Sequence, residues 1–292
     1  MEDLGEEDLD KLVLIDPGRR DLLYCMKYTS TAEEKQVYRY TANQRAKETK
    51  IRRYKKIRAR VKPAEVQEAE NMLTNHPLRT LDPISFNDYL RARATVKDLL
   101  FSHYGNENSA PLFRKLKLSS YIRNQQSETL LAKNLRRNFG DDAKLVIGNW
   151  SGAHQRYHAP QKGIGMRKML RKKGFDVTVI DEYKTSKICP CCHKESLENF
   201  LVRQNPRPYR RTENPTVTVH GLLRCTTEDC LEAVDRTRRR LWNRDLVATL
   251  NFRHIIHGHV FEEGRPERFC RKKEDDDENN NQNSESVIAE SR

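Results

Sequence analysis

The sequence predicts an α/β fold, and three observations carry this prediction. Short apolar runs rich in β-branched residues lie near the start of the chain and again after residue 140. The stretch 43–139 between them has helical rather than alternating periodicity. A second helical pattern, "RLWNRDLVATLNFRHIIHG" (240–258), follows the later strands. Strand patterns that alternate with helical patterns are typical of α/β domains.

The strand patterns predict a five-stranded core. "KLVLIDPG" (11–18), "DLLYCMKY" (21–28) and "KQVYRYTA" (35–42) follow one another closely and predict a three-stranded meander. A fourth strand is predicted in "AKLVIGNWS" (143–151) and a fifth in "FDVTVIDEY" (175–183), with the helix "GIGMRKMLRKKG" between them. This element order is that of an RNase H-like α/β fold.

Composition changes along the chain divide it into six predicted segments. They are 1–42 for the first three core strands, 43–140 for a long helical insertion, 141–188 for core strands four and five with their helix, 189–231 for a small zinc-ribbon-like insert, 232–262 for a closing core helix, and 263–292 for a tail. The tail contains "EDDDENNNQNSES", a polar run that cannot build an apolar core, and it is predicted to be disordered.

Charge points to a polyanionic partner. The chain has 292 residues, of which 33% are charged, and a net charge of +13, which favours nucleic acid. No apolar run approaches the roughly 18 residues of a membrane span, so no membrane partner is expected. The start "MEDLGEEDLD" is unlike a signal peptide. In a reducing compartment the seven cysteines are metal ligands or buried thiols rather than disulfides.

Three carboxylates are candidates for a two-metal magnesium site. Asp16 ends the first predicted strand and Glu182 ends the fifth, so parallel pairing would bring both to the carboxyl edge of the sheet. Asp245 is in helical phase with Ala248 and Phe252, on the side facing the sheet. Two magnesium ions held by such carboxylates support phosphodiester cleavage. The alternatives are a turn residue at Asp16 and a helix cap at Asp245.

Two cysteine pairs predict a structural zinc site, because four thiolates close the tetrahedron and leave no open position for catalysis. The predicted ligands are Cys189, Cys192, Cys225 and Cys230. Either Cys191 or His193 could replace one of them, and a set of unrelated buried thiols is the alternative. Cys25 lies in a strand pattern and is predicted to be a core residue.

Basic residues are concentrated from Arg45 to Lys62, where Glu48 is the one acid. Because the charges surround the predicted helix, phosphate binding is favoured over an amphipathic surface, with a solvated helix as the alternative. The predicted nucleic-acid contacts are Arg52, Arg53, Lys55, Lys56, Arg58 and Arg60. The same stretch is typical of a nuclear localisation signal, which predicts a nuclear protein.

The tripeptide Thr185, Ser186 and Lys187 links the fifth strand to the first cysteine pair. Hydroxyl groups and a lysine at this place predict contacts to phosphate oxygens. A simple turn from strand to metal knuckle is the alternative.

Four segments together resemble a known family of nucleases. "IDPGRRDLL", "DEYKTSKICPCC", "LRC" and "WNRDLVATLNF" are similar to the nuclease half of TnpB-like proteins, and within them to Fanzor proteins, their eukaryotic RNA-guided relatives. The resemblance covers residues 11–258. It implies an RNase H-like (RuvC-like) DNA endonuclease with Mg²⁺ at the carboxylates and Zn²⁺ in an insert that helps to load the target strand.

Two departures from the family pattern are informative. The bacterial relatives carry a catalytic Glu on the fourth strand, where this chain has Gly148, so the resemblance implies that Glu182 takes that role. The relatives also carry an N-terminal lobe that binds guide RNA, whereas Asp16 is already the sixteenth residue here. We therefore expect a truncated or fragmentary copy, with guide RNA as a partner only if such a lobe is supplied.

Two further functions remain open at the level of sequence. One is a catalytically silent, zinc-containing nucleic-acid-binding remnant of a transposon, which would keep the metal knuckle and the basic surface but not a productive magnesium site. The other is a transposase-like accessory that acts through a partner. The persistence of all three carboxylates favours the endonuclease.

Overall fold

The structure, a computed structural model, describes residues 5–107, 109–149, 163–230, 240–261 and 264–271. The described residues form two compact units, one containing 5–42 and 129–271 and the other containing 43–128. Helices and a mixed sheet are both present, so the predicted α/β class is confirmed. Within the described ranges, no helix combines the length and the apolar character needed to cross a membrane.

A five-stranded sheet is the centre of the first unit. Its strands are β1 (Leu12–Asp16), β2 (Asp21–Lys27), β3 (Val37–Thr41), β4 (Lys144–Gly148) and β5 (Val177–Ile180). They lie in the order β3-β2-β1-β4-β5. The first three strands pair antiparallel as the predicted meander, and β4 pairs parallel with both β1 and β5. Parallel pairing of the first, fourth and fifth predicted strands is therefore confirmed.

Helices cover both faces of this sheet, which explains why β1 is a continuous apolar run. On one face, Val13 and Ile15 pack with α6 (Ile164–Lys172) and the last part of α5 (Ala110–Phe139). On the other, Leu12 and Leu14 pack against α7 (Arg244–Phe261). We call these the α5 face and the α7 face. Asp16 follows Leu12 and Leu14 at two-residue spacing and so belongs to the α7 face.

The second unit is helical and consists of α1 (Ala42–Glu48), α2 (Ile51–Arg60), α3 (Ala64–Thr74), α4 (Pro83–Gly105) and the first part of α5. A helical insertion over 43–140 was predicted, but the compact helical unit ends at 128. From Thr129 onward α5 belongs to the sheet unit, because Leu131 and Leu135 are buried in the core of the α5 face. No break in the sequence marks this boundary, since one helix continues through both units.

The cysteine-containing insert has its own small sheets. β6 (Leu197–Glu198), β9 (Leu222–Cys225) and β10 (Leu241–Asn243) form one, and β7 (Val202–Gln204) pairs with β8 (Thr216–Thr218) in the other. The predicted boundary at 231 is wrong, because β10 pairs with β9 and extends the insert to Asn243. The predicted closing helix accordingly begins at Arg244. Residues 231–239 lie outside the described ranges.

The predicted disordered tail begins too early. Residues 264–271 are described and contain a 3₁₀ turn at Glu267–Phe269. Phe269 is completely buried in the core of the α7 face, and the Arg265 guanidinium donates to the Asp181 carbonyl at 3.0 Å. The buried Phe269 ring and the bonds of Arg265 together attach this charged segment to the sheet unit. The acidic run at 272–292 lies outside the described residues.

Candidate metal centres

The three predicted carboxylates meet at the carboxyl edge of the sheet. Asp16 is the last residue of β1, Glu182 lies two residues beyond β5, and Asp245 is the second residue of α7. The pKa of Asp16 is raised well above its usual range, first by burial and then by the negative charges of Glu182 and Asp245, while Arg244 opposes the shift. The chain therefore gathers like charges at this edge.

Gly148 is the residue that makes room for Glu182. It is the last residue of β4 and is paired with Ile180 on β5. A Cβ added at Gly148 would lie 1.7 Å from Oε1 and 2.5 Å from Cδ of Glu182. The Glu182 side chain thus fills the space in which a side chain at position 148 would begin. Glycine is the residue that this arrangement requires on β4.

Neither local alternative explains Asp16 or Asp245. The turn after β1 is closed by backbone, with the Gly18 N–H donating to the Asp21 carbonyl at 2.8 Å. At the start of α7, Asn243 Oδ1 accepts from the Leu246 N–H at 3.0 Å and so supplies the capping bond. The Asp245 carboxylate is left to face the edge of the sheet, where burial, the charge of Asp21 and a hydrogen bond shared with Asp21 raise its pKa.

Asp21 is an acid at this edge that the sequence did not single out. It is buried at the start of β2, and Arg39 donates to its Oδ2 from Nη2 at 2.6 Å and from Nε at 3.2 Å. The signal in the sequence is an aspartate placed directly before an apolar strand, in "RRDLLYC". That pattern is too common to identify a functional residue, since aspartate is frequent in turns.

Thr185, the first residue of the tripeptide Thr185–Lys187, forms a structural turn. Thr185 is buried, and its Oγ1 and backbone N–H both donate to the Glu182 carbonyl, at 2.9 and 3.2 Å. The prediction that Thr185 contacts phosphate is therefore wrong, because its hydroxyl is turned inward. Ser186 is partly buried and Lys187 is exposed, so their predicted phosphate contacts stay predictions.

Asn251 ties this turn to α7. Its side chain is fully buried, and Nδ2 donates to the Thr185 carbonyl at 2.7 Å and to the Ile188 carbonyl at 2.8 Å. Buried backbone acceptors of an irregular turn need such partners. The helix that carries Asp245 therefore also fixes the segment that runs from Glu182 to the first cysteine.

Four thiols form a compact cluster beyond this turn, and their ligand atoms all lie within 4.8 Å of one another. They are Cys189, Cys192, Cys225 and Cys230. The Cys189 and Cys230 sulfurs are 3.7 Å apart, and those of Cys192 and Cys225 are 3.9 Å apart. A tetrahedron with Zn–S bonds of about 2.3 Å has sulfurs roughly 3.8 Å apart, whereas a disulfide requires about 2.05 Å. The cluster fits a zinc ion, and in the described ranges the carboxylates form no equally tight group.

Hydrogen bonds prepare one of these thiols for a metal. Burial raises the pKa of Cys192, but hydrogen bonds with Ser196, the Lys194 backbone and Thr227 outweigh it and lower that pKa to about 6. Neither alternative ligand joins the cluster. Cys191 is exposed, and the His193 ring packs edge-on against His254 with ring centres 4.7 Å apart. Cys25 is fully buried, as predicted.

Helix α2 presents its basic residues to solvent. Tyr54 is its buried residue, with the hydroxyl 2.5 Å from Ser119 Oγ on α5. A groove of about 620 Å³ beside it is lined by Tyr54, Lys55, Arg58 and Lys62, among others. The exposed set is Arg52, Arg53, Lys55, Lys56, Arg58 and Arg60. This surface has the charge and accessibility that phosphate contacts require.

We predict that purified protein contains one zinc ion per chain and that Cys189→Ser or Cys225→Ser removes it, because a hydroxyl cannot replace a thiolate ligand. The metal content is measured by elemental analysis of freshly prepared, reduced protein. Cys191→Ser and Cys270→Ser are matched controls at exposed cysteines and should retain zinc. A wild-type protein without zinc would refute the prediction.

We predict that Asp16→Asn stabilises the metal-free protein at neutral pH. Because folding raises the pKa of Asp16, the folded state binds the proton more tightly, and its stability falls as pH rises above the usual aspartate value of about 4. Asparagine removes that loss, so the variant should have a higher melting temperature than wild type at pH 7.5 in chelator and an equal one near pH 3. If wild type and Asp16→Asn have equal melting temperatures at both pH values, the pKa of Asp16 is not raised by folding.

We predict that changing Arg52, Arg53, Lys55 and Lys56 to Gln weakens DNA binding and flattens its salt dependence. Each phosphate that the variant no longer neutralises should reduce the slope of log K against log salt by roughly 0.9 for duplex DNA. The slope is measured by filter binding across a range of salt concentrations.

The control for this experiment removes an equal charge elsewhere on the same helical unit. Arg91 and Arg93 on α4, with Arg114 and Lys115 on α5, are all outside the buried core of that unit. Changing these four to Gln should lower the net charge equally but leave the slope nearly unchanged. If both sets reduce the slope alike, net charge rather than α2 determines binding.

Comparison with known proteins adds no family assignment. No protein-family model matches the chain. No curated protein is significantly similar to it in sequence. The function must therefore be inferred from the chemistry of the carboxylate edge, the cysteine cluster and the basic helix.

Proposed function

We propose that the protein is a Mg²⁺-dependent DNA endonuclease of the Fanzor/TnpB type, a phosphodiester hydrolase with an RNase H-like (RuvC-like) core. One observation carries the proposal. Glu182 occupies the space above Gly148, on the α7 face, where its charge and that of Asp245 act on Asp16. A carboxylate displaced from β4 to the segment after β5 still reaches the same edge of the sheet.

The architecture supports this core. A meander is followed by helices, a strand, a helix, a parallel strand, an insert and a closing helix, which is the element order of RNase H-like folds. Ligands of α/β sheets bind beyond the carboxyl ends of parallel strands. Asp16 and Glu182 stand at those ends of β1 and β5, and α7 brings Asp245 to them.

The residues at this edge fit a hard divalent cation. Magnesium prefers carboxylate oxygens and water, and three carboxylates at one edge offer such oxygens. When bound, a pair of such ions activates water and stabilises the leaving oxygen of a phosphodiester. Asp16, Glu182 and Asp245 would hold them. Arg244 is exposed beside Asp245 and offers a positive charge to the phosphate.

Zinc and the basic helix have supporting roles in this proposal. The four cysteines would bind one structural Zn²⁺, which fixes the segment that Asn251 ties to α7 and so holds Glu182 in position. Helix α2 would bind the phosphates of DNA, with the nucleus as its place of action. Guide RNA would be a further partner of a protein of this type.

A second candidate is a catalytically silent, zinc-containing nucleic-acid-binding protein. The observation that favours it is that the thiol cluster and the exposed basic residues of α2 require none of the carboxylates. Divalent cations distinguish the two candidates. The silent protein would bind DNA without binding Mn²⁺ at the carboxylate edge.

We predict that Glu182→Gln, Asp16→Asn and Asp245→Asn each reduce Mg²⁺-dependent cleavage of labelled DNA by at least 100-fold, because interactions that stabilise transition-state charge are worth several kcal/mol. DNA binding should be unchanged, since no phosphate-binding residue is altered. Asp181→Asn is the matched control. This neighbouring acid is engaged by Arg271 at 3.4 Å, so the variant should keep full activity.

The relocated carboxylate can be returned to β4 as a second test. Gly148→Glu alone should displace the Glu182 side chain from the edge, because its Cβ would lie 1.7 Å from Oε1. Combined with Glu182→Ala, which removes the clashing atoms, Gly148→Glu should recover part of the cleavage. Full activity of Glu182→Gln would refute the assignment. If wild type lacks cleavage without a guide lobe, the same variants are compared for Mn²⁺ binding by calorimetry, where each should lose affinity.

A further inference from the structure

Asp21 lies deeper than the other acids at the carboxylate edge. It is 4% exposed, whereas Asp16, Glu182 and Asp245 are all partly exposed. Arg39 occupies one of its oxygens, Oδ2. The other oxygen, Oδ1, is buried and accepts no N–H or hydroxyl hydrogen bond from the described residues. Among them, only the Asp245 carboxyl can share a proton with Asp21, and only in its protonated form. A buried carboxylate oxygen without a donor is unfavourable unless another positive group balances it.

A β-bulge directs Asp21 toward the α7 face. The register of β2 on β3 shifts between Asp21 and Leu23, so Leu22 is an additional residue in β2. Leu22 and Leu23 both pack on the α5 face, and Tyr24 packs on the α7 face. Regular alternation would send Asp21 to the α5 face. The extra residue reverses that direction, as bulges near functional sites do.

The turn before β2 brings Asp21 back beside the end of β1. The Gly18 N–H donates to the Asp21 carbonyl, and a Cβ at Gly18 would lie 2.7 Å from that oxygen. Glycine is therefore required for this close approach. Two local features, a tight turn and a one-residue bulge, together place a buried carboxylate next to Asp245.

We infer that Asp21 is a fourth ligand of the divalent-cation site and that it shares one cation with Asp245. The inference rests on the proposed function, because it adds a ligand to that same site. Oδ1 would bind the cation, while Arg39 stays on Oδ2 and takes no part in metal binding. A divalent cation with a few waters satisfies a buried oxygen that the protein itself leaves without a donor.

A purely structural role is the alternative, in which Asp21 serves only to pair with Arg39. The two roles predict different effects at these two positions. A ligand role depends on the negative charge of Asp21 and not on Arg39. A structural role depends on both partners equally, because breaking either one removes the same pair.

The test measures Mn²⁺ binding to the full chain, with zinc present at its cysteines, by electron paramagnetic resonance. Wild type should bind two Mn²⁺ ions per chain, as a two-metal site requires. Asp21→Asn retains an oxygen for Arg39 but loses the charge, and it should weaken one of the two sites at least ten-fold. Arg39→Gln leaves the carboxylate intact and should keep both sites. Far-UV circular dichroism checks that each variant folds.

Each outcome decides between the roles. Normal binding by Asp21→Asn, with weakened binding by Asp16→Asn, would overturn this inference and leave the proposed function standing. Equal losses in Asp21→Asn and Arg39→Gln would favour the structural role. Absence of Mn²⁺ binding by wild type would overturn both proposals. If Asp21→Asn does not fold, the double variant Asp21→Asn/Arg39→Gln is used, because it removes the whole ion pair. The inference then predicts that the double variant binds one Mn²⁺ ion fewer than Arg39→Gln alone.

Discussion

The arrangement of the carboxylate edge depends on one buried amide. Asn251 donates to two carbonyls of the segment that leaves β5, those of Thr185 and Ile188, and it is itself fully buried on α7. Through these bonds a single helix determines the position of Glu182, the direction of the chain into the cysteine cluster and, six residues earlier on the same helix, the position of Asp245. The metal knuckle and the carboxylates are adjacent in sequence because one helix must support both.

Unbalanced negative charge is the second constraint on this edge. Glu182 and Asp245 raise the pKa of Asp16, and Asp21 raises that of Asp245, while Arg39 and Arg244, which oppose the shift at Asp245, are both exposed. Folded proteins retain such an arrangement at a cost to stability, and strongly perturbed acids are concentrated at functional sites for that reason. In the cysteine cluster the effects are mixed, since hydrogen bonds lower the pKa of Cys192 whereas burial raises the pKa values of Cys189 and Cys230.

The sequence predicts those features that leave a local pattern in the chain. Asp16 directly follows an apolar run and Glu182 follows another after Asp181, so their places near strand ends could be read from the chain. Thr185 was misinterpreted because a threonine before Ser and Lys looks the same in a buried turn as in a phosphate contact, and the residue that buries it lies 66 positions away. Asp21 depends on a bulge of one residue, and Phe269 on a core that the rest of the chain builds. Neither leaves a local signal.

The most direct test of the central claim is a crystal structure of the protein soaked with Mn²⁺, in which anomalous scattering locates manganese and zinc separately. A manganese peak in contact with the Glu182 carboxylate above Gly148, with Asp16 and Asp245 as neighbours, is the predicted result. It would be accompanied by a zinc peak among the four cysteines. Zinc at the four cysteines without any manganese at the carboxylate edge, in crystals soaked in millimolar Mn²⁺, would contradict the account. The protein would then be a zinc-containing nucleic-acid-binding protein.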